Sequence, residues 1–138
     1  MLSRNIFLVL FFINYSCSDL AEGFVYINDL DNRIKIDLRY STENNFTGKV
    51  IDGYRSNKAI ISTEAAMALI QVQNDLTKMN LSLKIFDAYR PQMSVNYFIN
   101  WSNDPLDTIN KSSYYPKIKK SELFRLGYIA ERSGHSRG

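Results

Sequence analysis

Two stretches of alternating apolar and polar residues, Arg33–Tyr40 and Leu81–Phe86, bracket one long segment of helical period, Ser62–Met79. Alternation puts Ile34, Ile36, Leu38 and Tyr40 on one face of the first stretch, and Leu81, Leu83 and Ile85 on one face of the second. That is the pattern of half-buried strands. Between them Ala65, Leu69, Val72, Leu76 and Met79 recur at helical spacing. Ser62 or Thr63 is placed to cap this helix, Glu64 suits its positive end, and Asn80 is placed to stop it. Pro91 opens a second helical segment that runs to about Trp101, offering Val95, Phe98, Ile99 and Trp101 for burial before Asn103-Asp104-Pro105 breaks it. Glu122–Leu126 predicts a helical turn closed by Gly127, and Tyr128–Arg132 the start of another strand. Helices and strands mix without a regular βαβ alternation, which predicts an α+β fold.

The remaining segments follow from their turn formers and charges. Ser41–Lys58 carries Asn44-Asn45, Gly48 and Asp52-Gly53, so it predicts a long loop or a loosely paired hairpin, and loops of that length are usually functional or covering. The chain has 138 residues, 45% of them hydrophobic, enough for one domain with its own core. Net charge is +3, with Lys and Arg scattered among Asp and Glu, and the densest basic cluster is only Lys117–Lys120. No basic stripe of the kind that tracks a phosphate backbone is present, which argues against a nucleic-acid partner.

The first residues have the layout of a secretory signal: Arg4, the apolar run Ile6–Ile13, then the small residues Ser16, Cys17 and Ser18. The apolar run is too short to cross a bilayer comfortably as a helix. The expected division is a signal peptide over residues 1–17 and a single domain portion over residues 18–138, with a secreted or periplasmic destination. Cys17 is the sole cysteine, so an intramolecular disulfide is excluded. Its position also makes it a candidate for lipidation, although Asn14 and Tyr15 fit a lipoprotein cleavage box poorly. Any membrane association is expected only through that signal or lipid.

Two motifs carry chemistry. Asp87-Ala88-Tyr89-Arg90-Pro91 lies where a strand hands over to a helix, so Arg90 projects from a backbone fixed on both sides. A neighbouring carboxylate such as Asp87 can hold its guanidinium by charge-assisted hydrogen bonds. Such an arginine can stabilise an anionic transition state, or it can be a structural ion pair. Ser133-Gly134-His135-Ser136-Arg137-Gly138 sets the chain's one histidine in a loop of small residues, where a backbone can approach an ion closely. A lone histidine is equally compatible with an ordinary surface position.

Taken together with Asp37-Leu38-Arg39-Tyr40, Asn44-Asn45-Phe46-Thr47-Gly48, Asp52-Gly53-Tyr54, Ser113-Tyr114-Tyr115-Pro116 and Gly127-Tyr128, these motifs resemble the D-alanyl-D-alanine dipeptidase family, in order from about Phe24 onward. These are zinc D,D-dipeptidases of the vancomycin-resistance type and their cell-wall-salvage relatives. The resemblance implies a zinc D,D-peptidase fold shared with the amino-terminal domain of hedgehog proteins, and hydrolysis of the free dipeptide D-Ala-D-Ala. It implies His135 as the first zinc ligand, Arg90 as the stabiliser of the tetrahedral intermediate and Asp87 as the carboxylate that orients Arg90. It also implies Tyr40, Tyr54 and Ser133 as lining of the dipeptide pocket. The family pattern continues with an aspartate ligand and a Glu-x-x-His segment that have no counterpart in this sequence. The expectation is therefore an N-terminal portion, lacking the C-terminal part of the fold and inactive by itself. Two alternatives stay open: a non-catalytic secreted remnant that binds peptidoglycan-derived peptides, and a membrane-tethered structural lipoprotein.

Overall fold

A computed structural model describes residues 20–137. The leader assigned to residues 1–17, with Cys17, lies outside the described residues. The chain is α+β, as its mixed pattern predicts. Strand β1 (Phe24–Tyr26) runs into a short helix α1 (Ile27–Leu30), followed by β2 (Lys35–Ile36), β3 (Ile60–Ser62), helix α2 (Thr63–Lys78), β4 (Lys84–Ile85), helix α3 (Gln92–Asn103) and a one-turn helix α4 (Lys111–Tyr114). β1 pairs antiparallel with β3, and β2 pairs parallel with β4, as two separate two-stranded sheets. Among the described residues no helix is long and apolar enough to cross a membrane.

The two alternating stretches are extended and meet each other. Lys35 and Asp37 donate their backbone N–H groups to Leu83 O and Ile85 O, each at 2.9 Å, and Arg39 donates to Phe86 O at 3.0 Å. Ile34 and Leu38 are buried, as the period-two pattern requires, and they join Ile27 and Ala59 in one apolar cluster against which Ile36, Ile61, Leu69, Leu83 and Ile85 pack. Leu81, at the start of the second stretch, is exposed instead.

α2 begins and ends where its sequence indicates. Ser62 holds the N-cap position, but its side chain makes no capping bond, and the Thr63 N–H donates to Gly23 O at 2.9 Å. At the other end Asn80 takes φ 57°, while Leu81 N–H reaches Leu76 O and Asn80 N–H reaches Thr77 O. This is the left-handed closure that Asn tolerates better than most residues. The buried stripe is rotated from the expected one. It contains Ala66 and Gln73, while Val72 and Met79 lie exposed. Gln73 is tolerated inside because its side-chain oxygen accepts the Leu83 N–H at 2.9 Å and its amide donates to Thr77 Oγ1 at 3.1 Å.

The second cluster is aromatic. Ile51, Tyr54, Phe98, Trp101, Tyr115, Leu123 and Ile129 form it, with Tyr40 and Phe46 packed alongside. α3 supplies Phe98 and Trp101 to it and buries Val95 as well, with about 1.5–3 kcal/mol for a fully buried Val or Phe side chain. No strand forms over Tyr128–Arg132. Gly127 takes φ 77° and closes the preceding turn, so both Tyr128 and Ile129 turn their N–H groups back to Leu123 O. Those donors are then spent locally and cannot join a ladder.

The loop Ser41–Lys58 is irregular but tightly organised around Asn45, which is buried. Its Nδ2 donates to Thr42 O at 2.6 Å and Lys49 O at 2.7 Å, with a longer contact to Arg39 O at 3.3 Å. Its Oδ1 accepts from the Thr47 N–H at 2.9 Å and the Thr47 hydroxyl at 2.7 Å. This single side chain fixes the turn that presents Phe46 to the aromatic cluster.

Candidate active site

The connection from β4 to α3 is the turn Asp87–Pro91, and it lies at the seam of the two apolar clusters: Ala88 packs on the first, and Arg90 lies against Phe98 of the second. Its backbone is held from both sides. Tyr89 N–H donates to Ile60 O of β3 at 2.9 Å, and Arg90 N–H donates to His135 O at 3.0 Å. Pro91 at the N-cap of α3 fixes the exit.

Asp87 is the hub. Its Oδ2 accepts from Arg90 Nη2 at 2.6 Å and Nε at 3.2 Å. Its Oδ1 accepts from the Tyr54 hydroxyl at 2.6 Å and from Ala88 N–H at 3.0 Å. The Arg90 and Asp87 side chains are 18% and 12% exposed, so the pair is largely removed from water. Burial pulls the Arg90 guanidinium down, but the bonds and charge of Asp87 outweigh it and the net shift is upward. Burial and the Asp87 carboxylate that accepts its proton push the Tyr54 hydroxyl far up, so it stays a neutral donor. Burial also raises Tyr40, with Arg90 opposing.

His135 sits in a short 3-10 turn, Gly134–Arg137, docked on the same site. Its Nδ1 lies 2.9 Å from Ala88 O. A carbonyl only accepts, so in the neutral ring Nδ1 carries the hydrogen and Nε2 carries the lone pair. A backbone carbonyl that fixes the tautomer in this way is the usual support of a metal-binding histidine. The His135 ring is also 3.9 Å from Asp87 Oδ2 and half exposed. Beside it opens a cavity of about 400 Å³, apolar on the Ile27, Ile61, Leu69 and Ile85 side, with Asp87, Ala88, Gly134 and His135 on its wall.

The fold thus gathers Asp87, Arg90, Tyr54, Tyr40 and His135 around one turn. Ser133 lies in the same loop as His135, and its hydroxyl accepts the His135 N–H at 3.2 Å. The zinc expectation meets a limit here. Nε2 of His135 suits a zinc ligand, but a catalytic zinc takes about three protein ligands. No group of three His, Cys, Asp or Glu side chains occurs among the described residues. The described residues alone do not make up a zinc centre.

Sequence reasoning missed the Ala88 carbonyl and the Phe98 ring. The first carries no side-chain signal. The second was visible only as a buried position on α3.

Gly53 positions Tyr54. It takes φ 101°, and a Cβ there would meet Ser94 Oγ at 2.7 Å, Met93 Cγ at 3.0 Å and Pro91 Cγ at 3.1 Å. Ser94 Oγ is itself committed to Asp52 O at 2.5 Å. Gly53→Ala is expected to destabilise the fold by about 2–3 kcal/mol through backbone strain and overpacking. Urea denaturation measures this, and a midpoint equal to that of the parent would refute it.

Residues 20–138 match the family model described as D-ala-D-ala dipeptidase. A D-alanyl-D-alanine dipeptidase of Enterococcus faecalis is 37% identical over 119 residues, which are 86% of this chain and 59% of that protein. One from Streptomyces coelicolor is 40% identical over 119 residues, with the same shares. One from Enterococcus faecium is 36% identical over 116 residues, 84% of this chain and 57% of that protein. The chain therefore spans less than two thirds of the length of these relatives. With the match running through every motif that surrounds Asp87 and His135, the chain belongs to the D-ala-D-ala dipeptidase family.

Proposed function

We propose that this chain carries the arginine and the tyrosine wall of a D-Ala-D-Ala dipeptidase, acting on the free dipeptide as cell-wall precursor or turnover product. The observation that carries this reading is the Asp87 carboxylate, which binds Arg90 and Tyr54 at once, 2.6 Å from each. Asp87 engages only Nε and Nη2 of the guanidinium. That grip holds the charge beside Tyr54 and Tyr40. Arg90 then stabilises the oxygen that turns anionic when the peptide carbonyl is attacked, a gain realised mainly in the transition state. We assign Tyr40, Tyr54 and Ser133 to recognition of the ends of the dipeptide. His135 offers one nitrogen to zinc. Further ligands would come from outside the described residues, whose side chains supply binding and charge placement.

We also propose a secreted or periplasmic location, with residues 1–17 as the leader and Cys17 as the attachment point if a lipid anchor is present. The leader-like order of charge, apolar run and small residues supports this.

The test uses the natural protein from its source cells, weighed intact by mass spectrometry and assayed for D-alanine release from D-Ala-D-Ala with and without added zinc. Zinc-dependent release supports the reading. No release at any zinc concentration sinks it and favours the peptide-binding remnant. The 138-residue chain alone is expected to lose zinc on dialysis; one zinc retained per chain would mean that it holds ligands beyond His135.

A further inference from the structure

Arg90 is held by more than its carboxylate. Its guanidinium carbon lies 5.1 Å from the Tyr40 ring centroid and 5.3 Å from the Phe98 ring centroid. The two centroids are 4.9 Å apart, with their planes tilted by 56°. Cation and rings thus form a nearly equilateral triangle, with the guanidinium seated over the cleft of an aromatic wedge. Both separations fall within the range in which a ring quadrupole attracts a cation, and burial strengthens that attraction.

The wedge is rigid. Phe98 is 3% exposed and sits on α3, while Tyr40 lies on the 3-10 turn Arg39–Ser41. Phe46 braces both rings, with centroids 5.9 Å from Tyr40 and 5.0 Å from Phe98, and is in turn 5.1 Å from Trp101. Asp87 grips the guanidinium by Nε and Nη2, which fixes its plane along one edge. A two-point grip leaves the group able to tilt about that edge, and a face-on contact removes the tilt.

We propose that Phe98 is a positioning residue for Arg90: its ring face, backed by Phe46, sets the tilt of the guanidinium. The consequence for turnover rests on the dipeptidase reading, whereas the effect on Arg90 itself does not. Phe98 touches no substrate in this proposal, and its influence passes through Arg90. It also explains why a buried aromatic, and not an aliphatic of similar volume, occupies this place beside a charge.

Phe98→Leu disturbs the core as well as the wedge, so it cannot decide the matter. The deciding experiment replaces Phe98 with phenylalanines bearing one, two and three ring fluorines. These keep the shape of the ring while draining its negative face. Two readouts are taken on the natural protein: kcat and KM for D-Ala-D-Ala, and the rate of rotation about the Arg90 Nε–Cζ bond by NMR.

The expected result is a stepwise fall in kcat, reaching about fivefold for three fluorines, with KM nearly constant. Arg90 rotation is expected to quicken in the same order. An Arg90 rotation rate indifferent to fluorine number overturns the proposal, even if kcat falls, because the ring would then act by another route. Faster rotation in a protein that never turns over D-Ala-D-Ala supports the positioning role and sinks the dipeptidase reading instead.

Discussion

Arg90→Ala is expected to lower kcat for D-Ala-D-Ala hydrolysis in the natural protein by about 10²–10³, with KM changed by about threefold at most. The asymmetry follows from what the guanidinium meets. In the ground state the peptide oxygen is neutral, and a fixed cation beside it contributes little. In the tetrahedral state the same oxygen bears a charge, in a place where Arg90 is only 18% exposed and water screens weakly. The Asp87 grip, with the Tyr40 and Phe98 rings against the guanidinium, means that little side-chain ordering is needed at that moment. Arg90→Lys is expected to recover only a small part, because an ammonium on a flexible stem lacks the two-nitrogen fork that Asp87 holds. Steady-state kinetics with circular dichroism as a folding control measure the effect. An unchanged kcat in a folded variant would remove Arg90 from the chemistry and leave it as a structural ion pair.

Asn45→Ala is the largest expected stability effect, about 3–5 kcal/mol. Asn45 is 1% exposed, and its one side chain serves Thr42 O, Lys49 O and both Thr47 donors. Alanine removes every one of these bonds at a site that water reaches poorly, and each buried group left unpaired costs about 1–3 kcal/mol. The sum falls short of simple addition because the loop relaxes and readmits some solvent. Phe46 rides on this turn and braces Tyr40 and Phe98, so the loss propagates to the wedge under Arg90. Urea denaturation reads the effect as a lower midpoint with a similar slope. A loss under about 1 kcal/mol would show that the loop is held by its apolar contacts and not by the amide.

What the sequence revealed depended on how local each signal was. The stop of α2 at Asn80, the start of α3 at Pro91 and the inward set Ile34 and Leu38 are properties of neighbouring residues, and all were legible. The rotation of α2 was not, because burial of Gln73 is favourable only once the Leu83 N–H arrives from the segment leading into β4. The strand expected at Tyr128–Arg132 failed for the opposite reason: a local closure at Gly127 used the donors that a ladder needs. Around the site, Asp87 and Arg90 could be paired by spacing alone. The meeting of Phe98 with Arg90 could not, since helical period says which face is apolar and not what charge that face will meet. The motif order identified the family, yet the role of the Ala88 carbonyl is invisible to any motif because every residue has one.

The paired contacts between Arg90 and His135, and between His135 and Ala88, join points as far as 47 residues apart in sequence. Such a clasp cannot close until the far segment has emerged from the ribosome. Until then the guanidinium already has Asp87 and the rings of Tyr40 and Phe98 around it, but the backbone of the turn that carries it lacks its partner. The backbone setting of the Ala88–Arg90 turn thus depends on a part of the chain made well after the turn itself.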